Sequence, residues 1–181
     1  MKKFGLTVVI AAILILAGCS ATRVRTDYDP RSSFRELRTY KWMPQPVKSP
    51  GNAPALYNPL LENRIHHAVD GELAGRGYRR ITAGTPDFRL AYYVAAQPRT
   101  EIVETDAYYS YYHRYGFGSS VLTLEYVQGT LVIDIYHGGE DRLLWRGWAS
   151  RSLDKDPDPE AVEKYVRKAV RKILKDFPPP A

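Results

Sequence analysis

LEYVQGTLVIDIYHGGEDRLLWRGWASRS, residues 124–152, is the stretch that decides the fold. Two runs rich in β-branched and aromatic residues flank HGGED, a loop of hairpin length. A hairpin implies antiparallel pairing, and side chains alternate between the two faces of a strand. Alternation places Leu131, Ile133, Ile135, Leu143 and Trp145 on one face. Thr130, Val132, Asp134, Tyr136, Leu144, Arg146 and Trp148 then fall on the other.

Working outward, DFRLAYYVAAQ (87–97) reads as a further strand. Phe88, Leu90, Tyr92, Val94 and Ala96 point one way; Arg89, Ala91, Tyr93 and Ala95 point the other. Pro98 is expected to limit it, with residues 100–106 continuing as an edge. Thr39 to Trp42 reads as a short strand, and Val24, Thr26 and Tyr28 share one side of an extended run. The prolines at 44, 46, 50, 54 and 59 block helix and ladder alike, so residues 43–59 read as a surface loop.

Two helices complete the pattern. Asn58-Pro59 opens the first, which carries Leu61, Ile65, Ala68, Val69 and Leu73 at helical spacing and ends at Gly75 and Gly77. Asp158 caps the second and Pro159 opens it. Val162, Val166, Ala169, Val170, Ile173, Leu174 and Phe177 form its apolar face. Each helix has one face to bury, and a half-buried sheet has one face to cover. The fold class is therefore α+β: two layers, a mainly antiparallel sheet, and two amphipathic helices packed on one face. No internal repeat is present.

The N-terminus reads differently. Lys2 and Lys3 precede an apolar run from Leu6 to Leu16. That run is short of the roughly 20 residues of a bilayer span and has the form of a signal peptide, residues 1–18. Its exit, Leu16-Ala17-Gly18-Cys19, resembles the lipobox of bacterial lipoproteins. The resemblance implies cleavage before Cys19, a diacylglyceryl group on its sulfur and a third acyl chain (palmitate or similar) on the new amino terminus. The residue type fits, because a thiolate is the nucleophile a thioether requires. Cys19 is the only cysteine of the 181 residues, so it has no disulfide partner within the chain. Residues 19–21 then form the lipidated start, and 22–179 one periplasmic domain. Two or more acyl chains anchor a protein stably. In Gram-negative lipoproteins an Asp after the cysteine resembles an inner-membrane retention signal; Ser20 does not, which favours the outer membrane.

Charge sets the class of partner. Removing Lys2 and Lys3 from 26 basic residues leaves 24 against 20 acidic, a net +4. In this compartment the available partners are anionic headgroups, peptidoglycan carboxylates and envelope proteins rather than nucleic acid.

The whole domain also resembles the bacterial lipoproteins grouped as domain of unknown function 4136. The matching pieces are Asp27-Tyr28-Asp29 with Phe34, Thr39-Tyr40-Lys41-Trp42, and Asn58-Pro59-Leu60. Gly77-Tyr78, Asp87-Phe88, Gly129 to Asp134, Leu144 to Gly147 and Phe177-Pro178-Pro179 follow in order. The resemblance spans about residues 22–179 and carries over no catalytic residue, metal or cofactor.

Candidate chemistry is sparse. Ser119 and Ser120 lie in GFGSS without the strand–elbow–helix setting of a nucleophilic serine. Glu62, His66 and Asp70 share one helix flank at successive i, i+4 steps, a spacing that could hold a cation; the plainer reading is a solvated flank. Asp134 lies inside the most apolar strand, either as a cross-strand ion pair with Arg146 or as a polar group of a binding surface. Tyr108, Tyr111 and Tyr112 sit in a Tyr/Gly-rich segment that is either a partner surface or a plain loop tip. With Tyr93, Asp134, Arg146 and Trp148 they make up the candidate partner-binding surface. Lys164, Lys168, Arg171 and Lys175 form a basic stripe opposite the apolar face of the last helix, a solvated face or a contact for anionic headgroups. The expected function is a non-enzymatic envelope binding or structural module, with no cofactor. The alternative is a small envelope hydrolase with a pocket joining His113 or His66 to carboxylates near the Tyr-rich segment.

Overall fold

The hairpin of residues 124–152 forms the centre of a six-stranded sheet. The computed structural model describes residues 22–44, 59–105, 120–153 and 158–180. In chain order the elements are β1 (Arg23–Tyr28), β2 (Thr39–Trp42), α1 (Pro59–Ala74), β3 (Arg79–Arg80) and β4 (Phe88–Thr105). β5 (Ser120–His137), β6 (Leu143–Leu153) and α2 (Pro159–Leu174) follow. The strand order is β1-β6-β5-β4-β2-β3. β1, β6, β5 and β4 pair antiparallel, while β2 runs parallel to both β3 and β4. Both helices pack on one face, which is the two-layer α+β arrangement that the periodicities imply. The 43–59 loop lies almost wholly outside the described residues.

Two details depart from simple alternation. The β5–β6 register runs unbroken to Ile135↔Trp145 and then skips to Tyr136↔Leu143. Leu144 is the extra residue of a bulge, and a bulge turns its residue off the regular phase. Leu144 was expected to face away from the helices; it is 2% exposed and joins the core. Leu143, expected on the helix side, is only half-buried. The second departure is Pro98, which does not limit its strand: β4 continues to Thr105 in one unbroken register with β5. The Leu90 carbonyl accepts from Met43 on the β2 side. Alternation therefore aims the Pro98 nitrogen at that same side, where β2 pairing has already ended at Leu90. A missing N–H on an unpaired edge breaks no ladder.

The helices end by local chemistry. The Asp158 carboxylate accepts from the Ala161 amide at 2.8 Å, and Pro159 occupies the first turn. At the end of α1, Gly77 adopts φ +85°. The Tyr78 amide returns to the Leu73 carbonyl and the Gly77 amide to Ala74, which is the Schellman pattern that glycine permits.

The core is the odd face of the hairpin against both helices. Ile133, Ile135, Trp145, Ile65, Val69, Leu73, Val170, Ile173 and Leu174 are all buried in it. Phe177 sits at its tight end, with ring centroids 5.4 Å from Trp145, 5.6 Å from Tyr78, 5.8 Å from Phe88 and 6.1 Å from Phe34. Asp87 fastens the sheet edge: its Oδ2 accepts from the Arg38 amide at 2.9 Å and from the Thr39 amide at 2.7 Å and hydroxyl at 2.9 Å. Burial raises the Asp87 carboxyl, but these donors outweigh it and hold it below the usual range.

Ile173 is fully buried between α2 and the sheet. We expect Ile173→Ala to cost about 2–5 kcal/mol in chemical denaturation, the usual loss for a buried Ile truncated in a packed core. A loss below about 0.5 kcal/mol, the scale of an ordinary surface substitution, would mean that α2 is not docked as described.

Candidate functional site

The sheet face turned away from the helices is organised in rows across four strands. Ala91, Asp134, Arg146 and Asp27 form one row, and Tyr93, Val132, Trp148 and Arg25 the next. Ala95, Thr130, Ser150 and Arg23 form a third, where the Thr130 and Ser150 hydroxyls lie 2.9 Å apart. Tyr93, Val132 and Trp148 are each half-buried. Tyr93, Asp134, Arg146 and Trp148 are therefore brought together, as two adjacent rows of one surface.

Asp134 is the polar centre of that surface. It is 0% exposed, and Arg146 lies directly opposite it. The guanidinium grips both oxygens, Nε to Oδ1 at 2.7 Å and Nη2 to Oδ2 at 2.6 Å. The Tyr136 hydroxyl donates to Oδ2 at 3.3 Å. A buried carboxylate is expensive unless paired and hydrogen-bonded, and here it is both. Its hydrogen bond raises Arg146 further above its already high range. Burial, then a hydrogen bond with Tyr93 and the Asp134 charge, pushes the Tyr136 hydroxyl up, so it stays a protonated donor. Arg146 still keeps 43% of its side chain exposed. The result is a cation fixed in direction by a buried acid and open to solvent on its free side. Arg89, on the same face, serves the hairpin turn: it donates to the carbonyls of His137 and Glu140 and pairs with Asp141 at 2.8 Å.

The helix flank resolves as structure. Asp70 Oδ1 accepts from the Tyr40 hydroxyl at 2.8 Å and from Trp42 Nε1 at 3.0 Å, and Arg80 reaches Oδ2 at 3.0 Å. His66 stacks on Trp42 with centroids 4.0 Å apart, and burial keeps its pKa low. Its Nε2 is buried with no partner among the described residues. Asp70 thus ties α1 to β2 instead of joining Glu62 and His66 around a cation. Among the described residues no cluster of three or more metal-ligating side chains converges. Among the described residues His66 Nε2 meets no carboxylate.

The basic stripe is exposed along α2, but it is not uniformly free. Arg171 pairs with Glu72 of α1 at 3.0 Å, while Lys164, Lys168 and Lys175 are exposed. Cys19, Tyr108, Tyr111, Tyr112 and His113 lie outside the described residues. Periodicity gives no sign of one further feature, an apolar cavity of about 140 Å³ between the helices and the sheet. Its walls come from α1, α2, β4, β5 and β6, and Gly129, Ala149 and Ala169 are among them.

The two-layer α+β domain belongs to a defined class. The chain matches the family model described as "Domain of unknown function (DUF4136)" over residues 24–179, and it belongs to that family. No curated protein matches it. Among solved structures it is similar to a PDZ domain protein from Parabacteroides distasonis, at TM-score 0.54 and 14% identity. That match covers 94% of this chain and 40% of the other, so this chain spans well under half of that protein. A PelC dodecamer from Paraburkholderia phytofirmans matches at TM-score 0.47 and 12% identity, over 85% of this chain and 95% of that one. The first likeness speaks to fold alone.

Removing Arg146 strands a buried carboxylate. We expect Arg146→Met to cost about 3 kcal/mol, the low end for a broken buried pair because Arg146 is partly exposed. Adding Asp134→Val should return most of that loss, since an apolar pair needs no compensation. Equal losses for the single and double variants in chemical denaturation would show that the pair is not coupled.

Proposed function

We propose that the protein is a lipid-anchored envelope lipoprotein, facing the periplasm from the outer membrane, whose domain binds another envelope component without catalysing a reaction. The reading of a binding module is carried by one observation: Trp148, half-buried, lies beside Tyr93, Val132 and the solvent-facing side of Arg146. Aromatic and arginine side chains dominate interface energies. A sheet face meeting only water has no use for this set. The partner is an envelope protein or peptidoglycan, either of which offers carboxylates to Arg146. The support for the anchor is the sequence Leu16-Ala17-Gly18-Cys19 behind a short apolar leader. No helix among the described residues is long and apolar enough to cross a membrane.

The anchor is tested by Cys19→Ala. The variant should accumulate as an unprocessed precursor that takes up no radiolabelled fatty acid in cells; continued labelling refutes lipidation at Cys19.

The surface is tested by a photo-crosslinking residue placed at Tyr112 in cells, with and without Trp148→Ala. The substitution should shift the melting temperature by only a few degrees while abolishing the crosslink formed by the wild type. If Trp148→Ala unfolds the domain instead, Trp148 is a core residue and the binding surface loses its support.

A further inference from the structure

A sheet edge can take up another strand unless something guards it. The edges here are guarded unequally. β3 is only two residues long, and the free side of β4 carries Pro98, which has no N–H to give. β1 has neither protection. Its six residues, RVRTDY, include no proline and no lysine. Its register with β6 runs unbroken from Arg23↔Ser150 to Tyr28↔Trp145.

The outward side of β1 is fixed by its neighbour. The Asp29 amide donates to the Leu144 carbonyl of β6 at 2.9 Å. Odd-numbered residues therefore turn their main-chain groups to β6, and Val24, Thr26 and Tyr28 turn theirs outward. Among the described residues no main-chain group bonds to the outward side of Val24 or Thr26. The Tyr28 amide is met by the carboxylate of its own neighbour, Asp27, at 2.9 Å. Arg23, Arg25 and Asp27 are exposed and make no ion pair among the described residues.

Charges usually protect such an edge, but here they complement themselves. Arg25 and Asp27 flank Thr26, and Val24 and Tyr28 flank them in turn. In a two-fold antiparallel pair centred on Thr26, Arg25 of each copy stands opposite Asp27 of the other. Val24 stands opposite Tyr28, whose side chain is 40% exposed. Each outward pair exchanges two main-chain bonds, so the three pairs give about six. The Tyr28 amide passes to the Val24 carbonyl of the second copy, which releases Asp27 to Arg25. Centring the pair one residue earlier sets Arg25 against Arg25, and one residue later sets Asp27 against Asp27. Like charges directly opposite are destabilising. A strand of a different protein would need the same charges in reverse order, which a second copy carries by its own sequence.

We propose that β1 is a self-complementary docking edge and that the chain forms a two-fold dimer through it, with Thr26 on the axis and the two sheets joined into one. The dimer needs neither the anchor nor a ligand of the open face. It does extend that face, because Trp148 and Arg25 of one copy fall in line with Asp27 and Arg146 of the other.

The test uses the full chain with Thr26→Cys, expressed in cells, oxidised with copper phenanthroline in the lysate and read on non-reducing gels. Directly opposed residues of a hydrogen-bonded pair have Cα atoms about 5.5 Å apart, within disulfide range. A disulfide dimer of twice the chain mass is expected. The chain without Thr26→Cys, with Cys19 as its sole cysteine, sets the background. Arg25→Asp or Asp27→Arg, at exposed positions, should each lower the yield several-fold. The two together restore opposite charges and should return it. Should Thr26→Cys fail to fold by circular dichroism, coexpressed Arg25→Cys and Asp27→Cys chains with tags of different length replace it, and their mixed disulfide should exceed either homodimer. No dimer above background, a yield indifferent to the single charge reversals, or a disulfide to another protein in its place would overturn the proposal.

Discussion

The depth at which α2 lies on the sheet is set at one residue, Gly147. A Cβ there would lie 2.3 Å from the Trp145 ring and 2.6 Å from the Ile173 side chain, closer than atoms can stand. The bare backbone lets Trp145 lie flat and lets Ile173 press down beside it. Phe177 then reaches the aromatic cluster that joins Phe34, Tyr78, Phe88 and Trp145. α1 is tied to the same end: Arg76 donates to the Leu174 and Phe177 carbonyls, and Glu72 pairs with Arg171. Close packing at this end meets small residues at the other. Ala149 and Ala169 leave space there, and Gly129 is filled from the side by Leu153, whose carbons stand 2.7–2.9 Å from where its Cβ would be. One tight contact and a few small side chains thus give the layer a closed end and an open one.

Two aspartates show how burial and partners decide a role that residue type leaves open. Asp70 and Asp134 each accept from an arginine and at least one tyrosine hydroxyl. Asp70 is on a helix flank and spends its oxygens joining α1 to β2 and Arg80. Asp134 is fully buried within the sheet and orients a guanidinium whose outer side stays wet. Breaking the pair is costly, yet replacing it whole by apolar residues is often neutral. Stability alone therefore gives weak reason to keep a charged pair here. A fixed, outward cation beside Trp148 supplies a better one, which is why the open face stands as the candidate surface.

Strand and helix positions were legible because their signals are local. Alternation in residues 129–135 and helical spacing in 61–73 and 162–177 identified the core residues in advance. Alternation failed at Leu144, since nothing in the sequence marks a bulge when both neighbours are apolar. It failed at Pro98 for another reason: whether a proline breaks a strand depends on which edge its nitrogen meets, and that depends on where β2 stops. The Asp134–Arg146 register could be left as opposite or diagonal only, until pairing fixed it as opposite. The cavity was not legible at all. Its walls come from elements far apart in the chain, and small residues at 149 and 169 acquire meaning only when brought together.

The candidate surface and the cavity lie on opposite faces of the sheet, yet β1 joins them. It pairs along β6 from Arg23↔Ser150 to Tyr28↔Trp145, so its first residues stand over the part of β6 that carries Trp148, Ser150 and Arg151. Thr22 borders the cavity on the helix side, while Arg23 and Arg25 are exposed on the outer side, Arg25 directly opposite Trp148. Under the proposed anchor at Cys19, Thr22, Arg23 and Arg25 come first after it in the chain, and Asp27 and Arg146 lie one row further along the sheet.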